Sequence, residues 1–131
     1  MKASGTFEVK IGPLTGYAQS ESNKLGRMSI DKQFKGELEA VSKGEMLTAG
    51  GAVKGSAGYV AIEYVTGTLN GKRGSFAFQH SGTMTRGTPH LSVTVVPDSG
   101  TDELAGISGE MTIIIAEGKH SYELDYQLAA S

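Results

Sequence analysis

Hydrophobic residues recur at every second position along most of this chain. "GTFEVKI" places Phe7, Val9 and Ile11 on one parity, and "RMSIDKQF" places Met28, Ile30 and Phe34 against Ser29, Asp31 and Gln33. "HLSVTVV" carries Leu91, Val93 and Val95, and "EMTIIIA" carries Met111, Ile113 and Ile115. "HSYELDYQL" alternates most cleanly, with His120, Tyr122, Leu124, Tyr126 and Leu128 facing away from Ser121, Glu123, Asp125 and Gln127. A period of two is the signature of half-buried strands, and no stretch with a period near 3.6 is long enough for a substantial helix. Turn signals separate the runs: Asn70-Gly71, "RGTP" (Arg86 to Pro89) and Glu117-Gly118. Longer connections are expected over Pro13 to Gly26, Thr48 to Gly58 and Pro97 to Gly109, the last with a helical turn at Asp102 to Leu104.

Seven or eight antiparallel strands joined by short turns make a sandwich or an up-and-down barrel. Consecutive hairpins favour a meander, and closing it removes exposed strand edges. The expectation is therefore an all-β, single-domain (residues 1–131), up-and-down β-barrel of about eight strands. The 19 glycines among 131 residues fit its corners and bends.

Composition narrows the function classes. The net charge is −2 and basic residues are scattered, so no nucleic-acid footprint is present. Without cysteine there is no disulfide, thiol nucleophile or thiolate-bound zinc. No apolar run approaches the ~18 residues of a membrane helix, and "MKASGTFEVK" lacks the apolar core of a secretory signal, so a cytoplasmic location and no membrane partner are expected.

The stretch "GSFAFQHSG" continues the alternation of Phe76 and Phe78 with a histidine, His80. Asn70-Gly71 read as a two-residue turn opposes Val65 to Phe76, Glu63 to Phe78 and Ala61 to His80. Glu63 then lies diagonally beside His80 on one face, within side-chain reach. Centring the "RGTP" connection pairs His80 with Val95 and Met84 with Leu91, and the Glu117-Gly118 turn pairs His120 with Ile115 and Tyr122 with Ile113. This shared face is the expected interior. One run conflicts: Val60, Ile62 and Tyr64 are more apolar than Tyr59, Ala61, Glu63 and Val65. Either the register slips by one and the faces exchange, placing Ser75, Ala77, Gln79 and Ser81 inside, or Val60, Ile62 and Tyr64 face outward and are covered by another subunit. The strength of the Asn-Gly turn favours the second.

Glu63 with His80 is the best chemical pair, since a buried carboxylate can orient an imidazole as a general base. Equally, the pair can be an internal polar contact that satisfies itself. Tyr59, Phe76, Phe78, His80, Val95, Tyr122 and Tyr126 are the candidate ligand-lining residues. His80, His90 and His120 differ in height or parity, so no metal site is expected, and no cofactor motif is visible.

From Arg27 to Leu128 the chain resembles a bacterial family of uncharacterised proteins. The resemblance rests on "YVAIEYVTGTLNGKRGSFAFQHSGTM", "VVPDSGTDELAGISGEM" and "GKHSYELDYQL". It implies a barrel similar to that of allene oxide cyclase, whose relatives include the dirigent proteins, and it carries over no catalytic residue. The leading functional reading is a small barrel binding an apolar molecule in its interior. The alternatives are a non-redox cyclase or isomerase using Glu63 and His80, and a structural protein with a filled barrel. A homo-oligomer is expected, a dimer or alternatively a trimer, with Val60, Ile62 and Tyr64 in its interface.

Overall fold

The structure, a computed structural model, describes residues 1–18 and 24–129. Eight strands follow one another in chain order: β1 (Lys2–Leu14), β2 (Lys24–Gly36), β3 (Leu38–Gly50), β4 (Ala57–Leu69), β5 (Lys72–Thr85), β6 (Thr88–Val95), β7 (Ser108–Ala116) and β8 (Lys119–Gln127). Each pairs antiparallel with the next, and β1 closes on β8 from Lys2↔Asp125 to Phe7↔His120. The fold is a closed, all-β, up-and-down barrel, as the alternation predicts.

Three hairpins are set by dipeptides ending in glycine. Asn70-Gly71, Arg86-Gly87 and Glu117-Gly118 all have positive φ at both residues, the requirement of the two-residue turn whose twist matches the flanking strands. The first places Glu63 opposite Phe78 and Ala61 opposite His80. The slipped register that would turn Ser75, Ala77, Gln79 and Ser81 inward is therefore not adopted, and Val60, Ile62 and Tyr64 lie on the outer surface. Ser75, also on the outer face, is buried because Thr101 of the β6–β7 connection packs against it. The third gives Ile113↔Tyr122 and Ile115↔His120, as expected.

The second hairpin corrects the expected register. His80 pairs with Val93 and not Val95, and Met84 pairs with Pro89 and not Leu91. The turn is Arg86-Gly87 alone, so Thr88 and Pro89 already belong to β6. Because the shift is two residues, every side chain keeps its face. Two connections are shorter than expected: β3 and β4 run on to leave only residues 51–56 as loop, and Pro13, Leu14 and Lys24 to Gly26 are in strands. The middle of that first connection, residues 19–23, lies outside the described residues.

The barrel's two ends differ. At one end the β6–β7 connection folds back over the opening with a short 3-10 helix, Asp102–Leu104, as expected. Its backbone is tied to β5: Thr101 N–H donates to the Ser75 carbonyl (2.9 Å), and Ser99 Oγ accepts from Ala77 N–H (3.0 Å). Leu104 and Ile107 thereby plug a core of Leu38, Leu69, Phe76, Phe78 and Leu124. Beneath them the Tyr122 hydroxyl accepts from Leu38 N–H and lies 3.0 Å from the Lys35 and Leu38 carbonyls, joining β8 to the β2–β3 corner. At the other end inward-parity side chains reach solvent: Ile11, Met84, Leu91 and Ile115 are all exposed. No helix among the described residues is long and apolar enough to cross a membrane.

Candidate functional site

Midway along the barrel, where packed core gives way to the open end, four polar side chains meet. Glu63 on β4 is fully buried. Its Oε2 lies 2.5 Å from His80 Nε2 and 2.8 Å from Lys32 Nζ, while Ser42 Oγ donates to Oε1 at 2.8 Å. Each residue arrives by strand alternation. Lys32 continues the inward parity of Ile30 and Phe34 on β2, Ser42 that of Leu38 and Ala40 on β3, and His80 that of Phe76 and Phe78 on β5. The close approach of β3 to β4 depends on Gly44, opposite Glu63. A Cβ there would collide with the Ile62 carbonyl oxygen and crowd the Glu63 backbone.

The electrostatics follow from this packing. Burial, the largest single influence, pushes the Glu63 carboxyl up. The His80 hydrogen bond, the Lys32 charge and the contact with His80 outweigh it and bring the group down from 4.5 to about 2. Glu63 is thus a carboxylate near neutral pH. A carboxylate only accepts hydrogen bonds, so His80 Nε2–H is the donor. The Lys32 ammonium sits over the rings of Phe7 (4.9 Å) and Phe34 (5.7 Å), where the ring faces favour a cation as its hydration is lost. The cluster therefore satisfies its own charges, and no buried side-chain nitrogen or oxygen among the described residues lacks a partner.

Tyr59 stands between this cluster and the open end. Its ring centroid is 6.4 Å from that of His80, and it lies flat against Gly82, where any Cβ would strike the ring. Burial first, and the Glu63 charge second, raise the phenol above its ordinary value, so it remains a neutral hydroxyl. Above Tyr59 opens a concavity of about 410 Å³, walled by Met46, Met84, Leu91 and Ile115 among others. That volume is of small-ligand size.

Residues 3–126 match the family described as "Protein of unknown function (DUF3224)". The chain belongs to that family. It is also similar to a solved structure, a DUF3224 protein with unknown function from Shewanella oneidensis MR-1. That relative shares 52% identity, with 100% of this chain and 98% of the other covered and a TM-score of 0.95. No curated protein matches.

Within this DUF3224 barrel the residues singled out from sequence separate into three places. Glu63 and His80 meet as expected, and Tyr59 lies beside them. Phe76, Phe78, Val95, Tyr122 and Tyr126 are buried in the plugged half, where Tyr126 accepts from the Asn70 side chain at 2.7 Å. They pack core and do not line the concavity at the open end. Val60, Ile62 and Tyr64 point outward. Lys32 and Ser42 were not foreseen, although Lys32 has the parity of Met28, Ile30 and Phe34 and could have been read from it. The mouth residues Met46, Met84, Leu91 and Ile115 were not foreseen as a group.

Proposed function

We propose that this barrel binds a small apolar molecule at its open end, with the Tyr59 hydroxyl as the polar contact nearest the ligand. One observation carries the reading: among the described residues the inward-facing strand side chains of Met84, Leu91 and Ile115 are exposed together at one end, around a concavity of about 410 Å³. Methionines 46 and 84 suit such a wall, since unbranched thioethers adapt to varied shapes. The cluster of Lys32, Glu63, His80 and Ser42 forms the polar floor beneath Tyr59.

Titration with N-phenyl-1-naphthylamine, a neutral apolar fluorophore, tests this reading. The expected result is saturable binding to one site, weakened at least ~10-fold by Leu91→Asp or Ile115→Asp and unchanged by Leu47→Asp on the outer wall. Absence of saturable binding, or binding indifferent to both mouth substitutions, would sink it.

The 2.5 Å contact between Glu63 and His80 favours a second reading, non-redox acid–base catalysis on the bound molecule. It requires the ligand to reach His80. NMR of the imidazole during the same titration decides: ring resonances that move at saturation support it, and resonances that stay fixed leave the pair as structural.

A further inference from the structure

The outer wall of β3 and β4 carries an apolar surface unrelated to the mouth. Val60, Ile62 and Tyr64 form a row on β4, and Leu47 and Val41 extend it on β3. All five are between 51 and 56% exposed. Leu47 is the direct cross-strand neighbour of Val60. The Tyr64 ring is not loose, because its hydroxyl is hydrogen-bonded to Ser75 Oγ at 2.5 Å. Beside the row lies a shallow concavity of about 830 Å³, lined by Arg27, Glu45, Leu47, Val60, Ile62 and Gln79 among others.

We propose that this face is the two-fold interface of a homodimer, covered by the same face of a second copy. Two observations select that occupant. The first is charge. The apolar row is flanked by both signs, with Arg27 and Lys43 beside Glu45 and Asp31, paired within the chain as Arg27–Glu45 and Lys43–Asp31. A surface carrying both signs can oppose unlike charges when it meets a rotated copy of itself, as a two-fold contact requires. A strongly acidic or basic partner would meet like charges there. The second is area. Five half-exposed apolar side chains present on the order of 400 Å², within the roughly 300–600 Å² of a monomer's largest patch, which is often functional. A stable interface needs about 800 Å² from each partner, roughly half or more of it apolar. The row with its polar flanks matches that composition.

Sedimentation velocity on the full chain tests the proposal. The wild type is expected to sediment as a dimer at micromolar concentration. Ile62→Glu places two carboxylates in one isologous interface, and should raise the dissociation constant at least ~100-fold while leaving the circular dichroism unchanged. Leu47→Glu, on the neighbouring strand, gives the same result independently should Ile62→Glu fail to fold. Ile115→Glu, at the mouth, leaves the dimer intact. A monomeric or trimeric wild type, a dimer indifferent to the folded outer-wall variants, or one dissolved equally by Ile115→Glu would overturn it.

Discussion

The two ends of this barrel are built by the same alternation and come out differently. At the plugged end the inward positions are Leu38, Leu69, Phe76, Phe78 and Leu124, all at most 1% exposed. At the open end they are Ile11, Met84, Leu91 and Ile115, which reach solvent. The residues are comparably apolar, so hydrophobicity does not explain the contrast. The difference lies in what covers them. The β6–β7 connection carries Leu104 and Ile107 across one opening, whereas at the other end Arg86-Gly87 and Glu117-Gly118 are two-residue turns, and the β3–β4 loop, residues 51–56, is tied to the Arg86-Gly87 turn with Val53 left exposed. Alternation decides which side of a strand is inside, but a cap decides whether inside means dry.

The sharpest way to break this comparison is to truncate one large side chain at the plugged end. Phe78 is fully buried, with edge-on ring contacts to Phe76 (5.0 Å) and His80 (6.5 Å). Phe78→Ala should cost about 3–5 kcal/mol in denaturant unfolding, because the plugged end cannot collapse into the cavity left behind. A loss under about 1 kcal/mol would mean that this half is as loosely filled as the mouth.

Much of the plugged half was legible in the sequence, and little of the open half was. The Asn70-Gly71 dipeptide fixed the pairing of Glu63 with Phe78 and Ala61 with His80 because Asn tolerates positive φ and Gly favours it. Arg86-Gly87 forms the same turn but was obscured, since arginine is an unusual residue at positive φ and Pro89 reads as a turn residue where it begins a strand. Lys32 was passed over because a lysine amid apolar positions is ordinarily a solvated charge. Its burial makes sense only with Glu63, which is remote in sequence. Height along the barrel was the least legible property. A period of two reports face and says nothing of whether Phe76 or Met84 lies under the cap. Phe76, Tyr122 and Tyr126 were therefore grouped with Tyr59, though only Tyr59 borders the open space.

The polar cluster sits on the boundary between the two halves, and acid should loosen it. The folded carboxyl of Glu63 titrates at about 2, below its ordinary 4.5. A depressed carboxylate contributes its full stabilisation above the unfolded value and loses it as pH falls through the folded one. The contribution is thus complete above pH 4.5 and is lost between 4.5 and about 2; the gap corresponds to about 3 kcal/mol. Other carboxylates titrate in the same range, so the difference between wild type and Glu63→Gln is the quantity to follow. Glu63→Gln leaves Lys32 buried without a counter-charge and should be less stable at pH 7, with the gap to wild type closing on acidification. A gap independent of pH would mean that Glu63 is not held as a carboxylate.

The smallest effect is expected at the mouth, and its smallness is the point. Ile115 is 67% exposed although its parity turns it inward. Its side chain has little native burial to lose, and shortening it leaves no cavity in packed protein. Ile115→Ser should therefore change unfolding stability by no more than about 0.5 kcal/mol, the range of an ordinary surface substitution. The same substitution removes apolar wall from the concavity, so apolar-probe binding should weaken while stability holds. That separation is what distinguishes a wall kept for a ligand from a core that is incompletely packed. If Ile115→Ser instead cost as much as a buried truncation, the open end would be closed in solution, and the contrast between the two halves would disappear along with the site.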